Sequence, residues 1–273
     1  MNARADNLLV HLPYAPLNLE ALREAFAQYH GAAPFDHAVV DNFIRPDVMA
    51  GIVEEFLSYD SPKWFYYKNQ IEDKKALNDW NMFPPHTYRL FSFFNSDAFV
   101  AELSRLVGVE LHADNGLHGG GWHSHGRGGN LNPHKDYSIH PKLGLQRRVN
   151  IIIYVSEEMQ EQYGGHLGFW EHDEASGRPG KLAREIQPVF NRAVIFDTTQ
   201  QSWHGISRPL VQPEGIFRKS LAIYYLCEPQ ENADLHGRAL FAPREEQKNN
   251  AEIEELIRLR SGVSTSAKVY QKP

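Results

Sequence analysis

From Gly116 to Leu226 the apolar residues come in short runs, each closed by Gly, Pro, Asn or Asp. The runs are Gly116–His123, Arg148–Val155, His166–Trp170, Ala193–Phe196 and Ser220–Leu226. Runs of this length with turn residues between them read as strands, and strands in this succession close into a sandwich or jelly roll. The period before them is helical. Leu19, Leu22 and Phe26 share one side of a helix over 17–28; Val48, Ile52, Phe56 and Leu57 do so on a helix opened by Arg45-Pro46-Asp47; Phe99, Leu103 and Leu106 mark a third over 96–107. His37–Phe43 reads as a short strand, and 63–86 as a loop with helical turns that can lie over a site as a lid, with Trp64, Phe65 and Trp80 in the core. Ile253, Leu256, Ile257 and Leu259 return to helix over 242–260, a solvated helix packed on the barrel or a dimer contact, and 262–273 reads as a tail. The expected layout is a helical N-terminal and lid segment (1–106), a β core (107–230) and a C-terminal helix and tail (231–273), forming one structural domain.

Composition narrows the function. A single cysteine, Cys227, excludes a disulfide framework and any multi-cysteine zinc or iron–sulfur site, and suits a cytoplasmic protein. The net charge of -6 gives none of the basic surplus expected of a nucleic-acid binder. No stretch approaches the roughly 18 apolar residues of a membrane helix, and the first residues lack the pattern of a secretory leader. No nucleic-acid or membrane partner is therefore expected. With 14 histidines, any metal would be held by nitrogen and oxygen.

The segment NLNPHKDYSIHP sets His134 and Asp136 two positions apart, so that on extended chain both side chains point to one face. Alone this pattern is common. Its weight comes from SWHG, where a later β-type segment ends in His204. Two histidines and one carboxylate on one side of an ion form the facial triad of non-haem Fe(II) oxygenases, which leaves positions open for a co-substrate and O2. Beyond it, RKSLAIYYL puts Arg218, Ser220, Ala222 and Tyr224 on one face, where a guanidinium can grip a carboxylate at two points. In RRVNIIIYV, Arg148, Asn150, Ile152 and Tyr154 share one face and Val149, Ile151 and Ile153 the other. The polar face either looks into a barrel, with a bound dicarboxylate and metal as its partners, or faces solvent.

HKD, RRVNIIIYV, GGHLGFW, PVFNRAVIFD, SWHG and RKSLAIYYL, in this order over about 131–226, resemble the prolyl-4-hydroxylase-like 2-oxoglutarate/Fe(II) dioxygenases. PFDHAVVDNFIRPDVMAGIVEEF looks like the N-terminal start of such enzymes. The resemblance implies a mainly β fold with flanking helices around a double-stranded β-helix, the jelly-roll or cupin-like core. It implies His134, Asp136 and His204 as iron ligands, Arg218 on the distal carboxylate of 2-oxoglutarate with Tyr154 donating its phenol to the same group, and Asn150 and Ser220 as weaker carry-overs. His166 stands where the family varies and receives no role. The cofactors implied are Fe(II), 2-oxoglutarate and O2, with ascorbate as an auxiliary reductant. Because Asp136 is present, hydroxylation is expected rather than the halogenation of relatives that lack the carboxylate.

His118, Trp122, His123, His125 and Arg127 run straight into the triad and Arg148 is inward by parity, so these six are the expected substrate contacts. Arg148 has a competing reading as the partner of a buried acid, and His123 and His125 read as two histidines facing one side rather than a second metal motif. The expected reaction is hydroxylation of an unactivated C–H, with 2-oxoglutarate decarboxylated to succinate and CO2. The favoured substrate is a small molecule or a glycan or natural-product intermediate. A peptidyl-prolyl hydroxylase of the same fold is the alternative, and a non-catalytic metal-binding jelly-roll sensor is the alternative from another class.

Overall fold

The computed structural model describes residues 14–231 and 233–270, so the reading of the first residues as lacking a leader lies mostly outside them. The chain runs α1 (Leu19–Phe26), β1 (His37–Val40), α2 (Pro46–Glu55), β2 (Phe65–Lys68), β3 (Glu72–Leu77), α3 (Pro85–Phe94) and α4 (Asp97–Val107). The strands β4 (His112–Ala113), β5 (Gly121–His125), β6 (Asn130–Leu131), β7 (His134–Lys135), β8 (Gln146–Tyr154), β9 (Leu167–Asp173) and β10 (Arg178–Ile186) follow. It closes with β11 (Ala193–Asp197), β12 (Trp203–Ile206), β13 (Arg218–Cys227), β14 (Leu240–Phe241) and α5 (Ala251–Ser261).

Two antiparallel sheets result. The larger has the order β1-β11-β8-β13-β5-β3-β2, with β4 and β6 at its margins, and the smaller β10-β9-β12-β7-β14. The mainly β jelly roll expected from the short runs is thus observed. Helices α1 to α4 cover the back of the larger sheet. Val149, Ile151 and Ile153 of β8 and Leu221, Ile223 and Tyr225 of β13 pack there against Leu22, Ile52, Leu90, Phe94, Phe99 and Leu103. Each such side chain contributes about 1.5–3 kcal/mol by leaving water. Local signals set the helix ends: Ser96 caps α4 through Phe99 N, and Gly108 leaves it with φ +75°.

Four expectations fail in ways that matter for the site. Segment 63–86 is not a loop: Phe65–Lys68 and Glu72–Leu77 form a hairpin that pairs with β5 and extends the larger sheet. The residues EDKKAL are polar on both faces, so the strand carries no hydrophobic period to read. Phe65 is not core but 53% exposed. The division at residue 106 also fails, since β1, β2 and β3 belong to the larger sheet and β14 to the smaller. Finally, 262–273 is not a free tail over its described part. A 3-10 turn at Ser266–Val269 brings Tyr270 onto Glu72 and the ring of Tyr67.

Candidate active site

The two sheets face each other across a cavity of about 330 Å³. His134 on β7 and His204 on β12 pair directly across the smaller sheet, which is why residues seventy apart in the chain meet. Gly205 permits the approach: a Cβ there would lie 2.7 Å from Asn132 O and 2.8 Å from Leu131 O. His134 Nε2 stands 3.9 Å from Asp136 Oδ1, and His204 Nε2 stands 3.7 Å from Asp136 Oδ2. One ligand atom from each residue lies within 4.8 Å of the others, so the three could hold a single ion.

The rings are oriented by the chain itself. His134 Nδ1 lies 3.0 Å from Asn132 O and His204 Nδ1 lies 2.9 Å from Ser202 O. Each Nδ1 must be protonated to donate to its carbonyl, which leaves the lone pair on Nε2, facing Asp136. Burial holds both imidazoles below their ordinary range and therefore neutral, with the neighbouring His204 adding to the effect on His134. Burial would raise the Asp136 carboxyl, but the charges around it, the Arg147 guanidinium first and Lys74 among them, together outweigh burial and keep the group well below the usual carboxylate range. Arg147 Nη1 is 3.1 Å from Asp136 Oδ1, and the guanidinium lies between the rings of Tyr137 and Tyr224 at 3.6 and 3.5 Å. Two neutral imidazoles and one carboxylate are the donor set that a divalent first-row cation requires.

At the other end of the cavity Arg218 is buried. Its Nε donates to Gly165 O at 2.7 Å and its Nη2 to Tyr154 Oη at 3.2 Å, while Nη1 has no partner among the described residues. Gly165 must be glycine: φ is +70°, and a Cβ would meet Arg218 Cδ at 2.9 Å. Ser220, Asn150 and His125 line the same wall. Asn150 Oδ1 and both ring nitrogens of His125 are buried without hydrogen bonds, acceptors and donors that a bound polar group would satisfy. A guanidinium with an unspent N–H, beside unpaired polar groups, fits a carboxylate.

The expected site residues therefore separate. His118, His123 and His125 line the cavity together with the triad, Arg218, Asn150 and Ser220. Tyr154 stands against Arg218 and packs on Leu167 and Phe169 instead of lining the wall. Trp122 is not at the mouth: it is 1% exposed, among Phe56, Trp64 and Phe83 on the back of the sheet. Arg127 is on the surface, donating to the carbonyls of Val211 and Gln212. Arg148 turns away and ion-pairs with buried Asp197 at 2.8 Å, the competing reading of that residue.

The reason for the last correction is a bulge. Tyr224 faces Asn150 and Tyr225 faces Val149, but Leu226 faces Arg147, so β8 carries one extra residue there. Parity reverses across it and Arg147, not Arg148, enters the cavity. Sequence reasoning also missed Lys74, Glu72 and Tyr67 of the hairpin, and Arg238 and Arg260 from the C-terminal segment, all of which line the cavity. The adjacent arginines were a signal for Arg147; the hairpin residues offered none.

Comparison with known proteins agrees with this architecture. Residues 120–226 match the family model described as the 2OG-Fe(II) oxygenase superfamily. The chain is 27% identical over 192 residues to prolyl 3-hydroxylase OGFOD1 of Mus musculus, covering 65% of this chain and 30% of that protein. It is 28% identical over 184 residues to prolyl 3-hydroxylase OGFOD1 of Xenopus laevis, covering 66% and 33%. The chain thus spans about a third of the length of the curated relatives it matches. Among solved structures, a prolyl hydroxylase from Trichoplax adhaerens, in complex with a hypoxia inducible factor peptide fragment, superposes with TM-score 0.54 at 16% identity, covering 76% of this chain and 91% of that one. A prolyl 4-hydroxylase structure from Phytophthora capsici does so with TM-score 0.51 at 18% identity, covering 89% and 75%.

Proposed function

Because residues 120–226 match the 2OG-Fe(II) oxygenase superfamily, we propose that this chain couples decarboxylation of 2-oxoglutarate to hydroxylation of a prolyl residue in a protein. One observation carries the reaction class: an inward-facing His134–Asp136–His204 set and a buried Arg218 with an unspent N–H share one cavity. Iron, 2-oxoglutarate and O2 together supply the oxidising chemistry when bound.

The chain's own residues do the rest. Nε2 of His134 and His204 and the Asp136 carboxylate would hold the metal, with the tautomers set by Asn132 O and Ser202 O. Arg147 keeps Asp136 ionised and, stacked between Tyr137 and Tyr224, stops it from rotating away. Arg218 would take the distal carboxylate of 2-oxoglutarate, held at the right angle by Gly165 O and Tyr154. Ser220, Asn150 and His125 would satisfy its remaining oxygens.

The preference for a small molecule rested on Arg148 and Asn150 of one strand and on a preceding loop rich in His and Trp; Arg148 and Trp122 lie outside the cavity, while Asn150, His118, His123 and His125 line it. With that support weakened, the relatives named as prolyl hydroxylases give the peptide alternative the greater weight. A test supplies Fe(II), 2-oxoglutarate and proline-containing peptides and follows succinate together with a 16-mass-unit gain on proline. Succinate that requires all three, and is lost in His134→Ala and Asp136→Ala, is the expected outcome. Normal iron binding with full turnover in either variant would sink the reaction class. Metal binding without 2-oxoglutarate binding would return the sensor reading, and a mass gain only on metabolites the small-molecule one.

A further inference from the structure

We propose that two cations on the cavity wall, Lys74 and Arg238, form a subsite for an anionic group of the substrate: in the prolyl reading, on which this rests, an Asp or Glu side chain adjoining the target proline.

The argument is a matching of charges. The cavity is lined by five cationic side chains, Lys74, Arg147, Arg218, Arg238 and Arg260, and by two acids, Glu72 and Asp136. Arg147 is paired with Asp136 at 3.1 Å and Arg260 with Glu72 at 2.7 Å. Arg218 faces the position proposed for the dicarboxylate. Lys74 and Arg238 remain. Neither has an ion pair or hydrogen bond among the described residues; Lys74 has only the ring of Tyr67 at 5.3 Å, and Arg238 Nε is buried without a partner. Both are partly buried. A cation withdrawn from water without an anion is unfavourable, and an incoming carboxylate relieves that cost.

The imidazoles do not change the balance. Burial and Lys74 push His123 down to about 3, and burial and Arg147 push His118 down to about 4, so both are neutral near pH 7. Nor does Lys74 duplicate Arg218. Arg218 pairs with His125 across β13 and β5, and one step beyond the pairing of Lys75 with Ser124, Lys74 falls level with the same His125. Two strand spacings, roughly 10 Å, then separate the two backbones. Alternation on β3 turns Glu72, Lys74 and Ala76 to the cavity, and exposed Phe65 on β2 supplies an apolar surface at the same wall.

The experiment uses the full chain with Fe(II), 2-oxoglutarate and a panel of proline peptides whose flanking positions carry Glu, Gln or Lys in turn. Wild type should favour Glu over Gln at one or more positions by roughly tenfold to a hundredfold in kcat/KM, the range of a charge-assisted hydrogen bond. Lys74→Gln and Arg238→Gln should shrink that preference toward unity. Lys74→Glu should turn it toward Lys-flanked peptides, a gain that a misfolded variant cannot give. Equal turnover of Glu and Gln peptides by wild type overturns the subsite while leaving the prolyl reading intact. So does a KM for 2-oxoglutarate raised in Lys74→Gln as far as in Arg218→Gln, which would assign the cations to the dicarboxylate. A panel with no hydroxylation at all removes the prolyl reading, and this inference with it.

Discussion

Strands β8 and β13 have two faces built from the same backbone, and the two obey different rules. The back face, Val149, Ile151, Ile153, Leu221, Ile223 and Tyr225, is buried against the helices and is almost wholly apolar. The front face carries Asn150, Ser220, Tyr224 and, after the bulge, Arg147. Transfer from water accounts for the first, since any apolar group of the right volume serves there. The second holds polar groups whose partners lie on the opposite sheet or on a ligand, so only particular residues serve. Substitutions on the back should therefore change stability with little change in ligand affinity, and those at the front should do the reverse.

The largest expected effect is at the front. Asp136→Ala should abolish coupled succinate formation and weaken metal binding, both measurable on the purified variant, and its thermal melt should also fall because Arg147 is left buried without its anion; a melt unchanged from wild type would mean that the pair adds nothing to stability. Next, Arg147→Met is the residue where the faces mix. Its loss leaves Asp136 buried without its cation and should cost about 3–5 kcal/mol by urea unfolding, besides impairing metal affinity; a neutral result would mean that water replaces the guanidinium. On the back, Ile151→Ala should cost about 2–5 kcal/mol, with the KM for 2-oxoglutarate unchanged. Arg218→Gln should raise that KM about tenfold to a hundredfold, the value of a charge-assisted bond, with little shift in melting; an unchanged KM would place the dicarboxylate elsewhere. The smallest effect belongs to Arg127→Ala, on neither face, where stability should stay within about 0.5 kcal/mol and kinetics should match wild type.

Legibility followed the same division. His134, Asp136 and His204 were readable because a period of two and the short HKD and SWHG motifs are local signals. Arg218 was readable from its place at the head of a strand with alternating faces. Arg148 was placed inward because one inserted residue reverses parity and a bulge leaves no mark in residue type, whereas its reading as the partner of a buried acid is the one observed. Trp122 was misassigned because on β5 it points opposite to His123, into the aromatic cluster with Phe56 and Phe83. Lys74 was invisible in EDKKAL, whose two faces are equally polar.

The linear chain thus pointed to the fold class, to the apolar back face of β8 and to His134, Asp136, His204 and Arg218, which the structure gathers in one cavity, because hydrophobic periodicity and short-range spacing are properties of neighbours in sequence. The tertiary structure alone decided that Arg147 and not Arg148 faces Asp136, that a hairpin from the N-terminal part forms one wall, and that Arg238, Arg260 and Tyr270 return to that wall from the C-terminal part. These depend on sheet register and on contacts between segments distant in the chain, and the energy that selects them exists only once both partners are in place.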